Sequence, residues 1–175
     1  MSKGWWVLYG VVVVVAVGAT VVPRAIGSGF HFGINAGSDA TPAEVGLPFY
    51  PGAKVHKDSD KDNDSAANIS GSFGGFGMKI VAVELDTPDA PAKVAPFYWQ
   101  ALGRYGQVLD CSAGKPRPPA SPKNSDRLDC SNQHSDPGTI LYQAGMKKNF
   151  HVAGVEPKGT GSKIALVFVQ INGAD

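Results

Sequence analysis

The sequence predicts an α+β protein, with one N-terminal transmembrane helix followed by a small, largely antiparallel sheet with a single packed helix. Three observations carry that expectation. Residues 4–22 form a 19-residue stretch without a charged side chain. Residues 91–105 repeat apolar side chains at helical spacing, whereas the segments around them are short and β-branched. Turn formers separate these segments, with 22 Gly and 13 Pro among 175 residues.

The first element is the apolar stretch GWWVLYGVVVVVAVGATVV. At about 1.5 Å per residue it spans about 28 Å, close to the hydrocarbon thickness of a bilayer. Valine is a modest helix former in water, but lipid forces a backbone to satisfy its own hydrogen bonds. Trp5, Trp6 and Tyr9 sit where an aromatic belt would mark one interface, and Pro23 and Arg24 close the other end. Lys3 and the amino terminus outweigh Arg24, which puts the N-terminus in the cytoplasm and the remainder in the periplasm, on a single-pass inner-membrane topology. The alternative is a signal peptide cleaved near Ala16-Val17-Gly18 or Val17-Gly18-Ala19, after which the domain is periplasmic or secreted. Both readings export the rest of the chain.

Residues 23–46 are rich in Gly, Ala, Ser and Pro and read as a linker, in which Phe30, His31, Phe32 and Ile34 form an apolar island suited to a bilayer surface or a protein partner. The exported domain is then expected over 47–175. It opens with the turn dipeptide Pro51-Gly52 and a short extended segment at 54–56. Residues 57–72 read as a polar, acidic loop, and the glycines through Gly77 as a flexible lead-in. Residues 78–85 (MKIVAVEL) are apolar on both faces, as in a central strand. Thr87-Pro88-Asp89 signals a helix start. The helix that follows presents Val94, Phe97, Tyr98, Ala101, Leu102 and Tyr105 on one face, with Gly106 as its stop and a kink expected near Pro96. Further strands are expected at 107–111, 139–143, 149–155 and 163–171, the last two joined by a turn at 157–161.

Few chemistries fit this composition. A net charge of +1 offers no basic face for nucleic acid. Cys111 and Cys130 are the two cysteines, and in an exported chain an isolated pair reads as a disulfide closing the Pro-rich loop between them. Their spacing fits neither a redox C-x-x-C nor a zinc site. Asp58, Asp60, Asp62 and Asp64 alternate like the opening of a calcium loop, but position twelve is Ile69 rather than a bidentate Glu, and a solvated loop needs the same residues. His31, His56, His134 and His151 have no shared spacing. No nucleophile motif or phosphate loop is present, so neither a cofactor nor an enzyme is expected.

Pro48-Phe49-Tyr50-Pro51-Gly52-Ala53, Phe97-Tyr98 with Leu102, and Tyr105-Gly106-Gln107-Val108-Leu109-Asp110-Cys111 together form a PxYPGA…FYxxxL…YGxVLxC pattern. The chain resembles exported, membrane-anchored bacterial proteins of Acidobacteria type over residues 47–172. That resemblance implies an exported domain and supplies no catalytic residues. The sequence therefore leads to two expectations. One is a non-catalytic accessory or structural subunit, held in lipid by its N-terminal helix and bound to protein partners in a larger membrane or envelope complex. The other is a membrane-tethered module that binds a ligand or ion.

Overall fold

The computed structural model describes residues 31–36, 41–56, 66–73, 76–122, 124–131, 133 and 135–173. Among them no helix is long and apolar enough to cross a membrane, and residues 4–22 lie outside them. In chain order the elements are β1 (His31–Ala36), α1 (Pro42–Val45), β2 (Lys54–Val55), β3 (Ala66–Phe73), β4 (Phe76–Thr87), α2 (Pro91–Leu102), a 3-10 turn (Gly103–Tyr105), β5 (Leu109–Asp110), β6 (Ile140–Met146), β7 (Asn149–Lys158) and β8 (Gly161–Asn172). The strands form one sheet of eight, ordered β1-β3-β4-β8-β7-β6-β5, with β2 beside β4 beyond the end of β3. Every pairing is antiparallel. The α+β class and the single packed helix are as expected.

Side-chain alternation sorts the sheet into two faces. Val81, Val83 and Leu85 of β4, Ile164 and Leu166 of β8, Ala153 and Val155 of β7 and Ala144 of β6 are buried in one cluster with Val94, Tyr98, Ala101 and Leu102 of α2. Phe97 and Tyr105 pack at its margin, so all six residues of the expected helical face reach the core. Thr87 does not cap the helix. The cap is Ala90, without a side-chain bond, and Pro91 occupies the first turn. The Thr87 hydroxyl instead accepts from the Asp89 N–H at 3.4 Å, holding the turn that leads into α2. Gly106 ends the structure one turn later than a helix cap would, after the 3-10 turn, at φ 120°.

Two stretches read from sequence as linker or loop belong to the fold. β1 lies inside residues 23–46 and pairs with β3, and β3 lies within residues read as an acidic loop and glycine lead-in. Both hide from composition because they are ordered by backbone pairing, β1 on β3 and β3 on β4. α1 is held by a reciprocal capping box. The Thr41 hydroxyl accepts from the Glu44 N–H, while the Glu44 carboxylate accepts from the Thr41 N–H at 2.9 Å. Gly46 then turns the chain at φ 72°, and Val45 and Leu47 drop into the core fully buried.

The residues of the PxYPGA…FYxxxL…YGxVLxC pattern do structural work. Tyr98, fully buried, accepts the Tyr50 N–H on its hydroxyl at 3.1 Å, and the Tyr50 hydroxyl donates to Asp89 at 2.9 Å. Burial pushes the Tyr98 phenol well above its usual range. Changing Tyr98 to Phe leaves the buried Tyr50 N–H without an acceptor, so a loss of about 1–3 kcal/mol is expected in urea unfolding. An unchanged midpoint would contradict this role.

Candidate interaction face

The second face of the sheet carries the even-numbered residues of β4 and β7 and the odd-numbered residues of β8. Among the described residues, it is covered only towards β6 and β5, by the loop at 111–137. Cys111 and Cys130 are bonded there, with Cα atoms 5.4 Å apart, and Leu141, Leu109 and Val152 pack against them. Both cysteines expected to pair are thus brought together. The Gln143 side chain, 1% exposed, rises from β6 beneath this loop; its amide donates to the Asp129 carbonyl at 2.8 Å. The Arg117 guanidinium donates to the Cys130 carbonyl at 2.9 Å, and the Ser112 hydroxyl accepts the Leu141 N–H at 3.0 Å. The Asp129 carboxylate accepts from the hydroxyl and N–H of Ser131 and from the Ser121 N–H, bonds that hold its pKa down at about 2. Where the loop stops, it leaves a cleft of roughly 460 Å³ lined by Ser121, Leu128, Asp129, Gln133, Gln143, Lys147 and Phe150.

Beyond the loop the face is half-buried and apolar in its middle. Ile80 pairs with Val169, Ala82 with Val167, and Val167 in turn with Val152. One end is charged. Register places Lys54 opposite Asp86, Asp86 opposite Lys163, and Lys163 opposite Glu156. The Lys158 ammonium lies 2.8 and 2.9 Å from the two Asp86 oxygens, and His56 Nδ1 lies 2.5 Å from one of them. Partial burial would raise the Asp86 pKa, but the bonds from His56 and Lys158 outweigh it and hold the carboxyl below its ordinary value. The Lys163 ammonium sits between Glu156 at 3.1 Å and Glu84 at 3.5 Å. Burial disfavours that charge, yet the two carboxylates raise the Lys163 pKa. An apolar centre beside a paired polar rim has the layout of a protein-binding surface.

The histidines separate. His56 belongs to the charged end of this face. His151 lies on the helix side, 4% exposed, stacked between Tyr105 (centroids 3.7 Å, 15°) and Phe168 (4.6 Å, 22°). The two therefore do not converge in one cleft. His31 is the first residue of β1, and His134 lies outside the described residues. So do Asp58, Asp60, Asp62 and Asp64, the calcium-loop candidates. Among the described residues, no three His, Cys, Asp or Glu side chains are grouped to hold a metal ion.

The charged end escaped the reading by spacing, because residues 56, 86, 158 and 163 are far apart in sequence. A signal was present, however. Glu84 and Asp86, and Glu156 and Lys158, are charges two apart at strand ends, which share a face. No family model, curated protein or solved structure matches the chain.

Proposed function

We propose that the chain is a non-catalytic, single-span protein of the bacterial inner membrane, and that its periplasmic domain serves as an accessory or structural subunit by binding a protein partner. The observation supporting this most is the second sheet face. Its partner is missing within the described residues, its centre is Ile80, Ala82, Val152, Val167 and Val169, and its rim charges are already paired. Covering its apolar centre removes that surface from water, while the paired charges at its end can stay solvated as a polar rim. The apolar residues 4–22 would anchor it.

A photo-crosslinking residue at Val167, introduced into the full chain in cells, tests this reading. Crosslinking to one protein species is expected from Val167, whereas the same group at Trp99, on α2, should give none. Equal, diffuse labelling from the two positions would contradict the proposal. The cleft beneath the disulfide-pinned loop favours a second reading, a tethered module that binds a small polar ligand against the Gln143 amide and Lys147. That reading requires saturable binding by the purified full chain without any partner.

A further inference from the structure

The sheet has two chemically distinct ends, and the direction of β1 shows at which of them the chain from residues 4–22 enters. β1 runs antiparallel to β3 with His31 opposite Ser72, so the chain enters the sheet next to the β3–β4 hairpin, where Phe73 pairs with Phe76. The last residue of β8, Asn172, pairs with Gly77 at the same end. The β6–β7 turn is there too, since Asn149 pairs with Gln170 and the Ile171 N–H donates to the Lys148 carbonyl at 2.7 Å.

This end is apolar and basic. Of the three most exposed large apolar side chains among the described residues, Phe76 (41%) and Met146 (54%) stand on it, and Trp99 (46%) is on α2. Met78 pairs with Ile171 on the face that carries Phe76, and Phe150 shares that face, whereas Met146 and Lys79 lie on the helix face. Arg127 bridges to Met146, and Lys147 and Lys148 form the adjoining turn, the Lys147 ammonium donating to the Pro122 carbonyl at 3.3 Å. The opposite end holds Glu84, Asp86 and Glu156 among its paired charges, roughly 26 Å away along β4 at about 3.3 Å per residue. Between the apolar stretch at 4–22 and His31 lie eight residues, 23–30. Fully extended, these reach at most about 28 Å.

We infer that this hairpin end rests on the bilayer, with Phe76 and Met146 inserted at the headgroup level and Lys147 and Lys148 against anionic headgroups. The inference rests on the single-span reading, in which the chain from residues 4–22 joins the sheet at this end. Exposed apolar side chains at one end of a sheet, with lysines in the adjoining turn, suit an interfacial contact. The overall charge of +1 conceals this, since the lysines at the far end are matched by Glu84, Asp86 and Glu156. So docked, the domain directs its charged end away from the membrane.

The test uses the full chain in phosphatidylcholine–phosphatidylglycerol nanodiscs, with a nitroxide at position 76, 146, 160 or 13 through F76C, M146C, T160C or V13C. Relaxation by oxygen and by a nickel chelate then reports the surroundings of each label. The ratio of oxygen to nickel access is expected to be several-fold higher at 76 and 146 than at 160, which lies in the exposed turn at the far end, and highest at 13. Lipid-like access at 13 with water-like access at 76 and 146 would overturn the inference and spare the span. Water-like access at 13 would overturn both. Exclusion of both reagents at 76 and 146 would indicate a protein contact there and equally overturn it.

Discussion

Replacing Cys111 and Cys130 together by alanine is expected to lower the stability of the domain by about 3 kcal/mol, the chain-entropy value for a loop of this length. For a domain of this size that corresponds to roughly 10 °C in Tm. The loss should be local in its structural effect. The loop at 111–137 is closed on itself by the disulfide and the Arg117–Cys130 bond and meets the sheet through the Gln143–Asp129 and Ser112–Leu141 bonds and the Arg127–Met146 bridge, whereas the α2 core lies on the opposite face. Amide exchange should therefore accelerate in the loop and along β5 and β6, while β4, β8 and α2 keep their protection. Reduction of the wild-type chain should give the same shift. A fall in Tm of less than a few degrees, or exchange that accelerates uniformly, would show that the loop is held by something else.

Acidification should destabilise the domain through His151. Its ring is packed between Tyr105 and Phe168, and its Nδ1 is buried without a hydrogen-bond partner. The other ring nitrogen, Nε2, faces Gly46, where an added Cβ would stand 2.5 Å from it. Burial, reinforced by the Arg104 charge, lowers the His151 pKa to about 4. The unfolded chain, with an ordinary value of about 6.5, binds the proton first. Stability from the neutral ring is thus complete above about pH 6.5 and is lost as pH falls towards 4, about 3 kcal/mol in all. Roughly 2 kcal/mol should already be gone at pH 5, before the carboxylates of Asp86, Asp89 and Asp129, all with lowered pKa values, begin to protonate. Urea midpoints at pH 7.5 and 5 measure this directly. His151→Phe or His151→Gln should flatten the dependence whatever it does to absolute stability. An equal pH dependence in wild type and both variants would place the titrating group elsewhere.

These expectations depend on how much of the molecule could be read before its structure was known. Strong periodicity was legible. The run MKIVAVEL gave a central strand, and the spacing from Val94 to Tyr105 gave the packed helix and its buried face. The disulfide was legible as an isolated pair of cysteines flanking a Pro-rich loop. Thr41-Pro42-Ala43-Glu44 carries a complete capping-box signature inside a stretch whose composition reads as a linker. β3 is not legible because Ala, Asn, Ser and Gly fill most of it and long-range pairing orders it, while β1 carries Phe32 and Ile34 at strand spacing inside a stretch whose composition reads as a linker. The charged end of the second face and the stacked His151 depend on register between distant strands, which no local spacing reveals. The opposition of an apolar, basic end to a charged end is likewise a property of topology rather than composition.

The proposed role as an accessory subunit is tested most directly by extracting the full chain from its native membrane in a mild, non-denaturing detergent and measuring the composition and mass of the species that contains it. A stoichiometric complex with at least one other protein is predicted, and it should dissociate when Val167, at the centre of the second sheet face, is changed to Glu. A clean monomer, recovered under conditions that keep other membrane complexes whole, would contradict the proposal.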